Sequence, residues 1–189
     1  MLIRILAFLL ETAFFVLIAA ALLRAWMNWL RVSMTGQPGS FVMALTDWLI
    51  KPLRRSLPKS WSKSRVDWAS VLAAALIALV YAALVGLLFG IFGSVGEDGL
   101  DWEQGVVLLL PLIAVKMLIR VVLQTLFMLV LGYAILSWVQ PGSWVYGLLA
   151  QLTEPLLAPF RRVIPTIGGV DLSALVLLLT LQIAMMVLI

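Results

Sequence analysis

The sequence predicts an all-α membrane protein: four transmembrane helices arranged as two parallel-oriented helical-hairpin repeats, each with a short proline-kinked amphipathic segment at the cytoplasmic interface. Three observations carry that prediction. Of the 189 residues, 64% are hydrophobic and only 12% are charged, with a mean hydropathy of +1.15; a soluble domain of this size could not bury so much apolar surface. Four stretches approach or exceed the ~20 apolar residues that a crossing needs. The chain also repeats itself with an offset of about 107 residues.

The first stretch runs from about Ile5 to Leu30 and contains Glu11 and Arg24. With Arg4, an apolar run and the triplet Ala19-Ala20-Ala21 it also resembles a signal peptide. Glu11 interrupts the apolar run and the repeat uses this segment, so a retained span is expected. The second stretch, Ala69 to Phe92, is uncharged. The third lies within Val106 to Val139, carries Lys116 and Arg120, and is too long for one bare crossing, which leaves 106–115 unplaced. The fourth, Leu172 to Ile189, is uncharged. The expected division is a first repeat over 1–93, an external acidic loop over 94–105, and a second repeat over 106–189.

Loop charge orients these spans. The first loop carries Arg31, Lys51, Arg54, Arg55, Lys59, Lys63 and Arg65, and the third carries Arg161 and Arg162. The middle loop has Glu97, Asp98, Asp101 and Glu103 and no basic residue. The positive-inside rule therefore places loops 31–66 and 140–170 in the cytoplasm and both termini outside, with Arg4 as the dissenting charge. Trp26, Trp29, Trp48, Trp61, Trp68, Trp138 and Trp144 fall at or near the cytoplasmic ends, where indole rings favour the headgroup boundary; Trp102 marks the other side.

Composition also limits chemistry. The chain has no cysteine and no histidine, which removes disulfides, thiol nucleophiles, imidazole ligands and the usual neutral-pH acid–base group. No nucleophile–base pair or metal-ligand cluster is visible, so no enzymatic activity, metal or cofactor is expected. The basic residues adjoin apolar spans, so direct nucleic-acid binding is not expected either.

The repeat is sharpest between the spans. Leu45-Thr46-Asp47-Trp48-Leu49-Ile50-Lys51-Pro52-Leu53-Arg54-Arg55-Ser56-Leu57-Pro58 aligns with Leu152-Thr153-Glu154-Pro155-Leu156-Leu157-Ala158-Pro159-Phe160-Arg161-Arg162-Val163-Ile164-Pro165, and half of these pairs are identical. Thr46 and Thr153, each followed by an acid, read as helix starts. Pro52 and Pro159 arrive within two turns, so each helix should be short or kinked. The arginine pairs would reach lipid phosphates or the acid of the same segment, since Asp47 and Arg54, like Glu154 and Arg161, are seven apart. Asp67 and Asp171, each directly before an apolar span, are placed to cap the returning helices. Two spans per unit give both units one orientation, as in parallel repeats.

The run from Thr153 to Pro165, followed by Gly168-Gly169-Val170-Asp171-Leu172-Ser173, closely resembles the signature of the YggT family, and Tyr133-Ala134-Ile135-Leu136-Ser137-Trp138 resembles that family's span end. The first unit follows the pattern more loosely, with Trp48 in place of Pro155 and Asn28 in place of Ser137. The resemblance implies a small integral protein of bacterial inner membranes or plastids. It also implies an association with osmotic-stress tolerance, with division or nucleoid distribution, or, in plastid relatives, with assembly of a membrane cytochrome complex.

Ionisable groups inside spans are costly and often functional. Lys116, Arg120 and Gln124 are four apart and share a helix face. Aligning Trp29 with Trp138 places Glu11 and Arg120 at equivalent positions, where an ion pair is conceivable. At ~1.5 Å per residue Arg120 lies near the outer boundary, where long side chains snorkel. Gly86, Gly90 and Gly93 are spaced for close helix contact.

Two functions follow as expectations. One is a scaffold or assembly factor whose segments around Thr46, Asp47, Pro52, Arg54, Arg55 and Thr153, Glu154, Pro159, Arg161, Arg162 contact anionic lipid headgroups, a membrane-protein partner or a second copy of the chain. The other is an oligomeric channel or transporter for a small ion or osmolyte that uses Glu11, Lys116 and Arg120, with Gln124 beside them.

Overall fold

The computed structural model describes residues 2–33, 36, 38–56, 66–88, 102–162 and 171–188, with the backbone path alone at 2–3 and 102–108. Lys59, Lys63, Arg65, Trp61, Glu97, Asp98, Asp101, Gly90, Gly93, Gly168 and Gly169 lie outside the described residues. Among the described residues there are six helices: α1 (Leu2–Trp29), α2 (Gly39–Ser56), α3 (Trp68–Leu88), α4 (Trp102–Val139), α5 (Trp144–Arg161) and α6 (Leu172–Leu188). Three of these are long and apolar enough to cross a membrane, over Arg4–Trp29, Trp68–Leu88 and Leu109–Val139. Helix α6 is equally apolar but has 17 residues, the lower limit for a crossing.

The chain divides into two compact units, Met1–Val121 and Val122–Ile189. In the first, α1 packs chiefly on α3 and also on α2. Its core joins Ile18 and Ala21 of α1 to Ala74, Ile77, Ala78 and Ala82 of α3, and to Ala114, Met117 and Val121 of α4. Ala74, Ala78, Ala82 and Gly86 are all buried and four apart, so they form one narrow stripe. Apolar helices gain no hydrophobic drive from meeting in lipid, and small residues let their backbones approach for dispersion contact. The contact expected of Gly86 is thus part of a stripe made mainly of alanine.

Helix α1 ends in a Schellman motif. The Val32 amide donates to Met27 O (2.9 Å) and the Arg31 amide to Asn28 O (3.1 Å). Arg31 takes the left-handed position, φ 57°, which is usually glycine's. Met27 and Val32, the apolar pair of the motif, are both buried.

Both proline-containing segments between the apolar helices differ from the sequence expectation. Each is an 18-residue helix that starts seven or more residues before its threonine, at Gly39 and Trp144. Thr46 and Thr153 are therefore mid-helix residues and not N-caps. Their hydroxyls donate back to Val42 O (2.7 Å) and Leu149 O (2.8 Å), a bond that lets threonine sit in a helix without an orphan donor. The start of α5 is instead Ser143, whose Oγ accepts the Tyr146 amide at 3.2 Å. Neither helix is short: Pro52 lies inside α2, and Pro155 and Pro159 inside α5. Residues 106–115, unplaced by sequence, continue the 38-residue α4 through Pro111. One face of α2 is buried through Gly39, Val42, Thr46 and Ile50, at three- and four-residue spacing; Ile50 meets Ala69 and Ala73 of α3.

In the second unit Val130 and Tyr133 of α4, Leu157 of α5, and Ala174, Leu177 and Leu181 of α6 form the core. Gly132 brings α4 close to α5: a Cβ there would lie 3.2 Å from Leu149 Cδ1.

Candidate functional site

The sequence singled out fourteen polar and charged residues and two prolines, and the structure brings seven of them into clusters around α2 and α5: Thr46, Asp47, Arg54 and Asp67 in the first unit, and Glu154, Arg161 and Asp171 in the second. In the first unit Arg24 enters from α1. Its side chain is buried, and Nη1 donates to Thr46 Oγ1 (2.8 Å) and Asp47 Oδ1 (2.7 Å). Lys51 Nζ holds the other oxygen, Oδ2, at 2.8 Å from one turn along α2. These bonds, from Lys51 first and then Arg24, hold the Asp47 carboxyl below the usual carboxylate range.

At the far end of α2, Arg54 Nη2 reaches Asp67 Oδ2 (2.6 Å), which also accepts Ser70 Oγ at 2.9 Å. The expected Asp47–Arg54 partnership therefore does not form. Each carboxylate is served by a nearer cation, and Asp67 is buried, where an unpaired charge would be costly. Asp67 immediately precedes α3, and its backbone carbonyl accepts the Ser70 and Val71 amides.

The second unit builds the same clasp with different parts. Arg161 donates from Nε (3.0 Å) and Nη2 (2.7 Å) to Asp171 Oδ2 and from Nη1 (2.6 Å) to Glu154 Oε2. Its Nη2 also donates to the Tyr133 hydroxyl (2.7 Å), and that hydroxyl donates to Asp171 at 3.4 Å. Tyr133 stacks on Tyr146, ring centroids 5.4 Å apart. Asp171 Oδ1 accepts the Ser173 amide at 3.1 Å, in the first turn of α6. Burial raises the Asp171 carboxyl, but the Arg161 bonds and charge outweigh it, aided by Ser173, and the net direction is down.

In both units, then, the first arginine of the pair bonds the aspartate before the returning helix. The second does not: Arg55 and Arg162 are exposed, and neither side chain forms an ion pair with another described residue. Pro52 and Pro159 are exposed on the same helices.

Arg120 of α4 pairs with Glu11 of α1. Lys116 is exposed and Gln124 is half-buried.

Several participants escaped sequence reasoning, Arg24 and Tyr133 foremost. A signal for them existed. Arg24 is a charge within an apolar run, and the register that aligns Trp29 with Trp138 also aligns Arg24 with Tyr133. Arg24 meets α2 through Thr46 and Asp47, and Tyr133 meets α5 through Arg161.

These features define an all-α protein of the membrane-spanning class, built from two sequence repeats in each of which part-buried ion pairs fasten the helix that bears the paired arginines. The chain belongs to the CCB3/YggT family, which it matches over residues 3–88 and 112–189. It is 38% identical over 179 residues to an uncharacterised protein encoded in the proC 3′ region of Vibrio alginolyticus, across 94% of this chain and 90% of that one. It is 33% identical to the uncharacterised protein YggT of Escherichia coli K12, across 94% and 86%. An uncharacterised Haemophilus influenzae protein shares 32% identity across 85% and 78%. No solved structure matches the chain.

Proposed function

We propose that this protein is a non-enzymatic, multi-pass scaffold or assembly factor of the bacterial inner membrane, whose α2 and α5 helices lie as amphipathic feet on the cytoplasmic leaflet. In this reading α6 is the fourth crossing, the two hairpins share one orientation, and both termini lie outside. One observation carries it: in both units one arginine of the pair is held by an aspartate of its own unit, while its exposed neighbour, Arg55 or Arg162, forms no ion pair with another described residue. The first holds the foot in place, and the second faces phosphate headgroups or an acidic partner. Exposed Trp29, Trp48, Trp68, Trp138 and Trp144 near these ends support the same placement. The resemblance stated above supplies the setting, osmotic-stress tolerance or cell division. The pairing of Glu11 with Arg120 supports a structural use of those charges over a transport site.

The natural chain lacks cysteine, so single cysteines report topology directly. Pro52→Cys and Pro159→Cys should both react with an impermeant maleimide only when the cytoplasmic face is open. Arg55→Glu with Arg162→Glu should displace copurifying partners and weaken osmotic protection. Labelling of either foot from outside, or unchanged partners and protection in the charge-reversed variant, overturns this reading.

A further inference from the structure

The two arginine pairs are not equally free. Arg54 spends one guanidinium nitrogen, Nη2, on Asp67. Among the described residues nothing else bonds that guanidinium, and its side chain is 50% exposed. Arg161 spends all of its nitrogens: Nε and Nη2 on Asp171, Nη2 also on Tyr133, and Nη1 on Glu154. Its side chain is 31% exposed. The cause lies in the neighbours. Asp47 and Glu154 are equivalent acids, each seven residues before the first arginine. Asp47 is occupied by Arg24 and Lys51. Their counterparts in the second unit, Tyr133 and Ala158, carry no cation, so Glu154 turns to Arg161. The first cluster thus sets Arg24, Lys51, Arg54 and Arg55 against Asp47 and Asp67, whereas the second sets only Arg161 and Arg162 against Glu154 and Asp171.

We infer that Glu154 is an internal stand-in for headgroup phosphate on Arg161, so that the first repeat meets an anionic leaflet through both Arg54 and Arg55 and the second through Arg162 alone. This deepens, and rests on, the placement of α2 and α5 proposed above. Carboxylate and phosphate oxygens accept the same guanidinium donors. Glu154 sits about two turns away on the same helix, so its tether gives it a high effective concentration against any headgroup. The excess positive charge of the first cluster adds an attraction that the balanced second cluster lacks. Glu154 therefore gates the second foot. It is the more exposed partner, at 56%, and an exposed pair is worth little to the fold. Loss of its charge frees Nη1 while Arg161 keeps Asp171 and Tyr133.

The test reads each arginine separately. The full chain, reconstituted alone in nanodiscs of phosphatidylcholine or phosphatidylglycerol, is treated with phenylglyoxal, and modified peptides are counted by mass spectrometry. In phosphatidylcholine Arg54 should react several-fold faster than Arg161. Phosphatidylglycerol should slow Arg54, Arg55 and Arg162 but not Arg161. Glu154→Ala should bring Arg161 close to the rate of Arg54 and make it sensitive to phosphatidylglycerol; Glu154→Gln, which keeps the shape and loses the charge, should move it the same way. Equal rates and equal protection of Arg54 and Arg161 in the wild type, or an Arg161 untouched by either variant, refute the gate, while protection of Arg55 and Arg162 leaves the headgroup contact standing. If phosphatidylglycerol protects none of the four, the headgroup contact itself fails and this inference falls with it, which would leave an acidic protein as the partner.

Discussion

Arg161 and Asp171 are joined by two bonds to a single carboxylate oxygen, Nε at 3.0 Å and Nη2 at 2.7 Å. Asp171 is the less exposed partner, at 13% against 31% for the side chains. The geometry therefore makes the arginine the solvating group of a carboxylate that water reaches poorly. Arg161→Ala strips that support and also frees Tyr133 and Glu154. A loss of about 2–3 kcal/mol is expected, as for removal of one partner of a mostly buried pair. Arg161→Lys should recover less than half of it, because an ammonium cannot bond Asp171, Tyr133 and Glu154 in the same fork. Thermal unfolding of the detergent-solubilised protein by tryptophan fluorescence measures both; a lysine variant as stable as wild type would show that charge alone suffices.

The same clasp sets an acid limit. Asp171 and Asp47 both titrate below their ordinary value of 3.8 when folded. A depressed folded value means that the native state releases the proton more readily than the unfolded chain. The resulting stabilisation is fully present above the unfolded value and is lost as pH falls through the folded one. Stability should be level from pH 7 down to about 5 and then decline from about pH 4 downward. Asp171→Asn should start lower at pH 7 and show a shallower acid decline. Melting curves at stepped pH check this, and an unchanged acid slope in Asp171→Asn would assign the limit to other carboxylates.

Much of this architecture is legible in sequence, and what is not legible has identifiable causes. The apolar runs that became α1, α3, α4 and α6 are readable because lipid demands a nearly unbroken stretch of one chemistry. The fourteen-residue repeat marked α2 and α5, but their starts were misread. A threonine before an acid looks like a cap, and nothing local reveals that Thr46 lies deep enough to need an i−4 carbonyl and a guanidinium. The two prolines predict a short or kinked helix; the helices continue through them, because the lost donor sits on an exposed part of the helix at Pro52 and Pro159, where the freed carbonyl is not stranded in a dry core. Spacing along one helix offers Arg54 either Asp47 or a lipid phosphate. Its choice of Asp67 depends on the returning helix coming alongside, a tertiary fact that helical spacing does not encode.

Glu11 and Arg120 pair across α1 and α4 at equivalent repeat positions. A structural pair predicts that Glu11→Gln and Arg120→Gln each destabilise the protein while the double variant loses less than their sum. The coupling should be about 1 kcal/mol. The charge swap Glu11→Arg with Arg120→Glu should recover most of the wild-type melting temperature. Additive single effects in the cycle would instead indicate that each charge serves a separate partner.

Thr125 carries a buried hydroxyl oxygen without a hydrogen-bond partner among the described residues. Valine has nearly the same shape and a similar helix propensity. Thr125→Val should therefore raise stability by about 1 kcal/mol, since it removes an unmet polar group without opening a cavity. Thr125→Ala separates shape from polarity: it also removes the hydroxyl but sacrifices a methyl contact, so its melting temperature should fall below that of the valine variant.

Arg31 closes the Schellman turn after α1 with φ 57°, a conformation that crowds any Cβ and that glycine adopts freely. The turn's two bonds, Val32 to Met27 and Arg31 to Asn28, use only backbone atoms, so they survive loss of the side chain. Arg31→Gly should thus stabilise the protein by about 0.5–1 kcal/mol. Arg31→Ala is the matched control. It removes the same positive charge but keeps the Cβ, so it should give no gain. A rise in melting temperature for glycine alone assigns the effect to backbone strain, whereas equal rises in both variants would assign it to repulsion among the basic residues of this loop.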